Sequence, residues 1–254
     1  MDLDKQLPVL RVRPRDLAPR ALVVGDPARA ADAAQMLDHA QELGYWREYR
    51  TFAGEYQGKR IVVSSHGVGS AGAAVCFEEL IHGGVQTIIR AGTCGAMLKE
   101  IEDGQFIIAT AAVRDDGTTP QLVPLSYPAV ADYRVVAALQ AAAVAEGYTK
   151  PYLGIARTSA AFYPGVLMPE TQMWMAAKVI AVEMELATLL VIASLRGVRA
   201  GGLFVSDGNA ARAIEAIKVG QVMDPFAYNP HREVVRQGVQ VMLKVALEAL
   251  VHLD

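Results

Sequence analysis

Short runs of apolar, β-branched residues alternate with alanine-rich helical patterns along almost the whole chain. This alternation is typical of an α/β fold and predicts a single mixed, mostly parallel central sheet flanked by helices. The predicted strands are 21–24, 60–65, 87–91, 105–113, 152–156, 179–183 and 200–206, and the predicted helices are 27–39, 70–83, 131–146, 185–196 and 231–252.

The pattern is not interrupted by a repeat, a low-complexity tract or a long linker. We therefore expect one domain over residues 1–254, a length that one α/β core accommodates. Residues 207–232 are rich in Gly, Asn, Pro and Asp, so they could form a loop, a short helix or a lid.

Charge and cysteine content exclude several classes of function. A net charge of −3 argues against a nucleic-acid surface, and the basic stretch 11–15 is short and broken by Pro14. No apolar stretch is long enough to span a bilayer without charges or glycine, so we expect no membrane role. The five histidines and two cysteines lack zinc-type spacing, so we expect no metal. Cys76 and Cys94, with no leader pattern at the start, favour the cytoplasm.

Glycine-containing loops follow four of the predicted strands. They read "VVGDPAR" (23–29), "SSHGVGSAG" (64–72), "RAGTCG" (90–95) and "VSDGN" (205–209). Glycine lets backbone N–H groups approach a ligand, and a following helix adds the positive end of its dipole. The ends of the strands in open α/β sheets carry functional residues, so we expect an anion-binding rim there.

The loop "GVGSAG" (67–72) also matches the dinucleotide-binding pattern G-x-G-x-x-G. The acidic residue expected about 20 residues later is missing, since Arg90 stands at the end of the next strand. We therefore favour a tight strand-to-helix turn beside a small ligand over a dinucleotide site.

Three arginines are candidates for an anion clamp: Arg29, Arg47 and Arg90, with Thr93 and the amide of Gly25 as neutral donors. The alternative is that each arginine pairs with an internal carboxylate, for instance Arg90 with Glu185. Arg29 and Arg90 both lie at strand ends where phosphate is usually held, which favours the clamp.

The stretch "VEMELAT" supplies Glu183 and Glu185 around Met184. Where a strand runs into a helix, both carboxylates can reach one ligand and accept hydrogen bonds from sugar hydroxyls. A capping glutamate with a core methionine, or a glycosidase-type carboxylate pair, remain alternatives.

Asp207 ends an apolar strand, where partial burial would raise its pKa and let it protonate a leaving group. A turn or N-cap aspartate is the alternative. Phe162 and Tyr163 could line a flat-ring pocket or belong to the core, and His66 is more easily explained as a structural histidine than as a base.

With these stretches in place, the chain resembles the nucleoside phosphorylase-I family, in its hexameric branch of purine nucleoside and uridine phosphorylases. The apicomplexan-type purine enzymes are the most similar branch. The resemblance rests on "VVGDPAR", "YWREYRTF", "SSHGVGSAGAAVCFEEL", "IIRAGTCGAM", "YPAVADY", "AFYPG", "VEMELATLLVIA" and "GGLFVSDG", in order and at family spacing.

The resemblance implies phosphorolysis of a nucleoside, with inorganic phosphate as co-substrate and no cofactor. It also implies a homo-oligomer in which Arg47 serves the neighbouring subunit, with a dimer as the minimal unit and a trimer of dimers as the assembly. The implied phosphate ligands are Gly25, Arg29, Arg47, Arg90, Gly92 and Thr93; the ribose ligands are Glu183, Met184 and Glu185; and the base site is Phe162, Val182, Ser206 and Asp207.

Departures from the family pattern favour a purine substrate. Uridine phosphorylases carry Gln and Arg where this chain has Val166 and Met168, and they lack the aspartate that Asp207 supplies. The arginine that partners this aspartate is expected at Arg236, with Arg212 as the alternative. The family's N-terminal histidine aligns near Val9, which leaves the 5′-hydroxyl contact open. A uridine phosphorylase, or a methylthioadenosine or nucleoside hydrolase of the same fold, remains the alternative.

Overall fold

The computed structural model describes residues 2–163, 166, 170–218 and 228–253. The strands are β1 (Arg20–Val24), β2 (Asp38–Trp46), β3 (Tyr49–Tyr56), β4 (Lys59–Ser65), β5 (Thr87–Ala96), β6 (Phe106–Asp115), β7 (Ala129–Val130), β8 (Tyr152–Ser159), β9 (Ala181–Glu183) and β10 (Arg199–Asn209). The helices are α1 (Pro27–Ala34), α2 (Ser70–His82), α3 (Tyr133–Ala145), α4 (Thr171–Ala176), α5 (Leu186–Arg196), α6 (Ala210–Lys218) and α7 (Glu233–Val251), with short 3₁₀ turns at Pro14–Asp16 and Thr119–Gln121.

One sheet joins all the described strands. Its order is β10-β6-β8-β9-β5-β1-β4-β3-β2, with β7 on β6, and β10 also pairs with β5. The strands β5, β10, β6, β8 and β9 therefore close into a ring, from which β1, β4, β3 and β2 extend as an open arm. This confirms the predicted α/β class with a mixed sheet between helices.

The sheet contains more antiparallel pairing than the sequence predicted. β2 pairs antiparallel with β3, and β3 pairs antiparallel with β4, whereas β1, β4, β5 and β10 are joined by parallel pairs. The hairpin of β2 and β3 was not predicted, because the side chains of β2 are mostly exposed and its sequence "DHAQELGYW" shows no strand-type alternation.

The predicted helix 27–39 is too long at its C-terminal end. Asp26 caps α1 by accepting a hydrogen bond from the Ala28 amide (2.8 Å), but α1 ends at Ala34 and the chain enters β2 at Asp38. A Cβ at Gly54 of β3 would lie 2.9 Å from the Cβ of Leu37, so the glycine is what lets the chain turn so closely over the sheet.

Two apolar cores cover the two faces of the sheet. One contains buried side chains of α2 and α5, and the other contains those of α1, α3 and α7. Within the part of the chain that the structure describes, no helix combines the length and the apolar character needed to cross a bilayer. Helices therefore pack on both faces of the sheet, and the loops at the strand ends extend from this packed core.

Candidate functional site

The candidate site lies where β1 and β9 end, beside the middle of β5 and the last residues of β10; Arg90 is therefore inside β5 and not at the strand end expected from the sequence. In the parallel register, Arg90 of β5 lies between Val23 of β1 and Gly202 of β10, and Thr93 lies beside Val205. The register of β10 then shifts between Ser206 and Gly208. A bulge of this kind redirects a side chain, and here the residue inside it is Asp207.

Arg90 is buried and is held by two carboxylates. Its Nε donates to Glu183 Oε2 (3.1 Å), and its Nη2 donates to Glu185 Oε2. The pairing of Arg90 with an internal acid, which the sequence left open as an alternative, is therefore present. An unpaired buried guanidinium would cost several kcal/mol, so this ion-pair cluster keeps the free protein stable.

Arg90 has more N–H donors than its contacts with the two carboxylates use. A guanidinium carries five N–H groups, and the third contact is from Nη1 to His66 Nε2 (3.3 Å). Nη2 also lies 3.1 Å from Glu183 Oε2, so the donor that these contacts leave over is one N–H of Nη1. Arg90 can therefore donate to an anion without releasing Glu183 or Glu185.

His66 is a structural histidine, as the sequence suggested. Its Nε2 must accept from Arg90, because a guanidinium cannot accept, so Nδ1 carries the proton and donates to the carbonyl of Gly67 (2.8 Å). Burial and the neighbouring Arg90 hold the pKa of His66 well below its usual range. The neutral ring thus orients Arg90 without adding charge.

Glu183 acts mainly inside the protein. Its Oε2 accepts from the amides of Glu185 (2.8 Å) and Leu186 (2.9 Å) at the start of α5, and its Oε1 accepts from Thr158 (2.6 Å). This is the capping alternative considered for one of the two glutamates. With both oxygens engaged, Glu183 holds Arg90 and the start of α5 in place.

Glu185 bridges two elements of the rim. One oxygen accepts from the amide of Gly69 (2.5 Å) at the N-terminus of α2, and the other accepts from Arg90. Burial raises the pKa of Glu185, and the attraction of Arg90 opposes that rise. Met184, between the two glutamates in the sequence, is partly buried, and its carbonyl accepts from the Ser70 hydroxyl (2.7 Å).

Gly92 is required by the packing of Arg90. A Cβ at this position would lie 2.7 Å from Nη1 and 3.1 Å from Cζ of Arg90. Gly25 is under less constraint, because a Cβ there would make only ordinary contacts, with the Gly67 carbonyl oxygen at 3.6 Å and His66 Cε1 at 3.9 Å.

Arg29 is the second cation of the rim, and it is partly buried near the start of α1. No hydrogen bond or ion pair to its guanidinium is found among the described residues. Burial lowers its pKa, and the nearby Arg90 lowers it further, while Asp26 and Asp207 act in the opposite direction. The surroundings as a whole therefore disfavour the charged form of Arg29, and a bound anion would stabilise it.

Asp207 is buried, and burial raises its pKa above the usual carboxyl range. Hydrogen bonds from Tyr228 and Thr93 and the charge of Arg29 oppose this rise. The hydroxyl of Tyr228 donates to Asp207 Oδ2. Asp207 is therefore a buried, hydrogen-bonded carboxyl group and not a turn aspartate exposed to solvent.

The arginine beside Asp207 is neither of the two expected from the sequence. Arg236 pairs with Glu233 at the exposed start of α7, and Arg212 pairs with Glu102. Arg232 instead donates to the backbone carbonyl of Asp207 (2.5 Å) and pairs with Asp103. Because Arg236 is engaged by Glu233, the expected contact between Arg236 and Asp207 is not formed in this structure.

Sequence reasoning missed Tyr228 and Arg232. Both belong to the stretch "YNPHR" (228–232), whose Asn-Pro pair indicates a turn but gives no hint of which strand end it reaches. Part of the stretch 207–232 forms α6, while residues 219–227 lie outside the described part of the chain.

Aromatic rings line the mouth of the site. Phe162 makes edge contacts with Tyr163 (centroids 5.0 Å apart) and with Tyr228 (5.5 Å), and it is 53% exposed. Val182 lies opposite Gly95, partly buried. Phe162 is therefore a surface ring at the mouth of the site and not a core residue.

The other residues singled out from the sequence have varied positions. Ser206 is buried, and its hydroxyl donates to the carbonyl of Gly208 (3.3 Å), so it supports the bulge. Val166 is fully exposed, and Met168 lies outside the described residues. The backbone amide of Val9 donates to Glu79 (2.9 Å).

Arg47 does not contact the rim of its own chain. It lies exposed at the turn between β2 and β3, in a left-handed conformation (φ 56°). Over the described ranges, no group of three His, Cys, Asp or Glu side chains is arranged to hold a metal ion.

The chain is similar to proteins that are named as phosphorylases. Residues 19–250 match the phosphorylase superfamily. A purine nucleoside phosphorylase of Plasmodium vivax is 42% identical over 193 residues, which cover 75% of this chain and 78% of the relative. A uridine phosphorylase of Haemophilus influenzae is 40% identical over 194 residues, covering 71% and 77%. The crystal structure of a Toxoplasma gondii purine nucleoside phosphorylase in complex with immucillin-H superposes with a TM-score of 0.89 at 33% identity, covering 100% of this chain and 98% of that one.

Proposed function

The chain belongs to the phosphorylase superfamily, and from this premise we propose that it cleaves a purine nucleoside with inorganic phosphate. The products are the free base and ribose 1-phosphate or its deoxy analogue. The proposal draws on relatives that are named as purine nucleoside and uridine phosphorylases.

The observation that carries the proposal is Arg29. A partly buried guanidinium with no described partner, beside Arg90 and near Asp207, is suited to an anion that arrives with the substrate. Arg90 adds the remaining N–H of Nη1, and the amide of Gly25 adds a neutral donor, whereas the Thr93 hydroxyl hydrogen-bonds to Asp207. A hydrolase that uses water would have no need for this cation.

The charges at the rim favour a site to which a second copy of the chain contributes a residue. Arg29 and Arg90 bring two positive charges, and Glu183 and Glu185 bring two negative ones. A phosphate dianion therefore needs a further cation, and the exposed Arg47 of a neighbouring subunit would supply it. A homodimer is then the smallest complete unit, within a hexamer of three dimers.

In the proposed reaction, a phosphate oxygen attacks C1′ while the bond from C1′ to the base lengthens. Positive charge builds on the sugar, and the arginines place the nucleophile beneath it, which removes several kcal/mol of the entropic barrier. Glu185 accepts hydrogen bonds from ribose hydroxyls, and Met184 packs on the ring. The reaction needs neither metal nor cofactor.

Asp207 supports a purine as the base. A buried carboxyl with a raised pKa can donate its proton to N7, which neutralises the departing base. Phe162 and Val182 would contact the faces of the base. Uracil offers no N7, so a pyrimidine would gain less from this proton.

The test compares inosine, guanosine, adenosine and uridine with purified protein, each with and without phosphate. We expect hypoxanthine from inosine only when phosphate is present, with no added metal or cofactor and no loss of rate in EDTA. Equal release without phosphate would favour the hydrolase, and uridine as the best substrate would favour a uridine phosphorylase.

A further inference from the structure

Tyr228 contacts the proposed proton donor directly. Its hydroxyl donates to Asp207 Oδ2, and its ring meets Phe162 edge-on, with 5.5 Å between centroids and 65° between planes. The same side chain thus touches the acid and the aromatic wall of the base site. The mechanism proposed above does not use it.

The position of Tyr228 is fixed by a hydrogen-bonded turn. Asn229 Oδ1 accepts from the amide of His231 (3.0 Å), and Arg232 Nε donates to the carbonyl of Asn229 (3.0 Å). Arg232 also donates to the Asp207 carbonyl (2.5 Å) and pairs with Asp103. The turn is therefore attached to the end of β10 at the residue that Tyr228 contacts.

We propose that Tyr228 is a positioning residue for phosphorolysis, whose hydroxyl orients Asp207 and stabilises the carboxylate that remains after the proton has moved to the purine. This inference rests on the proposed function. The sequence predicted an arginine as the side-chain partner of Asp207, and the structure has Tyr228 in this role.

The step balances in atoms and charge. The Asp207 proton moves to N7 as the bond from C1′ to N9 breaks and leaves its electron pair on the base, and a phosphate oxygen forms the new bond to C1′. Monohydrogen phosphate loses one proton when it becomes the ester, and this proton restores Asp207. Tyr228 keeps its own proton throughout and only shortens its hydrogen bond.

Four groups face the carboxyl of Asp207 from the surrounding elements. Tyr228, Thr93 and Arg29 favour its ionised form, and Cys94 of β5 stays a neutral thiol because burial raises its pKa well above the usual value. Arg232 binds the backbone carbonyl only. A backbone hydrogen bond also favours the ionised form, so loss of the Tyr228 hydroxyl removes one of the four effects that oppose burial, and the pKa of Asp207 rises.

The experiment compares wild type, Tyr228→Phe and the control Tyr127→Phe. The control removes a phenol hydrogen bond to Ser194 Oγ (2.7 Å) away from the site. For inosine with saturating phosphate, Tyr228→Phe should lower kcat about tenfold and move the alkaline limb of kcat up by about one pH unit, the size expected when one hydrogen bond to a charged group is lost. The KM for phosphate should stay unchanged, and Tyr127→Phe should behave as wild type.

A second substrate separates proton handling from structure. In 7-methylguanosine, N7 is already alkylated and the base leaves without a proton, so Tyr228→Phe should leave its cleavage rate unchanged. Equal losses on inosine and 7-methylguanosine, or an unmoved alkaline limb, would overturn the role given to Tyr228.

The Asp207 titration can also be followed without turnover, from carboxyl carbon-13 shifts, with Asp207→Asn assigning the resonance. An upward shift in Tyr228→Phe supports the contact, and an unchanged titration overturns it. If the shift is seen but wild type cleaves no nucleoside with phosphate, the proposed function fails while the Tyr228 contact with Asp207 stands.

Discussion

Replacement of Arg29 by Met tests whether the rim is built for an anion. Methionine keeps about the length of the aliphatic stem of arginine and has no charge, so it removes the guanidinium that has no described partner. Because the surroundings lower the pKa of Arg29 and so disfavour its charge, the variant should be as stable as wild type, or more stable, in phosphate-free buffer. By contrast, the replacement of an arginine that pairs with a buried carboxylate usually lowers the stability of the protein.

The magnitude for phosphate follows from the hydrogen bonds that would be lost. One charge-assisted hydrogen bond contributes about 1.5–3 kcal/mol, which corresponds to a dissociation constant weakened about 10- to 150-fold. At a phosphate concentration about 100 times the wild-type Kd, ligand binding raises stability by about 2.7 kcal/mol. After a hundredfold loss of affinity, the same concentration gives only about 0.4 kcal/mol.

The assay is thermal unfolding with and without phosphate, together with the KM for phosphate. Arg196→Met is the matched control, since Arg196 forms a two-pronged pair with Glu78 (2.9 Å for both contacts) on an exposed surface. The control should keep the full phosphate effect. If Arg29→Met is destabilised without phosphate and still shows the wild-type phosphate effect, the guanidinium is structural and the reasoning is refuted.

Two further predictions concern the acid and the glycine beside Arg90. Burial raises the pKa of Asp207, so kcat for inosine should stay constant at pH values above the usual carboxyl pKa and fall once the pH exceeds the raised pKa of the folded protein. Asp207→Asn should lower kcat about 10²-fold or more for inosine, but far less for 7-methylguanosine. If steady-state assays show the same loss of kcat for inosine and for 7-methylguanosine in Asp207→Asn, this prediction is contradicted. Gly92→Ala should displace Arg90 and raise the KM for phosphate about 10- to 100-fold, whereas an unchanged KM would show that Arg90 can move aside at no cost.

The sequence predicted the buried strands well because each is a short apolar run, and glycine-containing loops follow four of them. α5 and α7 begin and end within two residues of the predicted bounds. The hairpin of β2 and β3 could not be predicted, since an exposed strand pairs through its backbone and needs no apolar alternation.

For the site, the sequence located the strand ends but not the partners. Arg90, Glu185 and Asp207 were singled out because charged residues at the end of a buried strand need a counterpart. Which counterpart each one finds depends on contacts between distant residues: the bulge at Asp207 follows from the pairing of β10 with β5, and Tyr228 contacts Asp207 from 21 positions away. Local patterns carry no information about such contacts.

The glycine loop at 67–72 shows why a motif can identify a physical property without identifying its ligand. Gly67 and Gly69 have positive φ angles (74° and 96°), so the loop turns sharply and exposes the first amides of α2 as the dinucleotide pattern requires. The anion that these amides bind is the carboxylate of Glu185, 2.5 Å from the Gly69 nitrogen. Because that carboxylate also contacts Arg90, the helix terminus fixes a residue proposed to bind ribose next to one proposed to bind phosphate. The sequence pattern was therefore correct about an anion at the helix N-terminus, and the anion belongs to the protein itself.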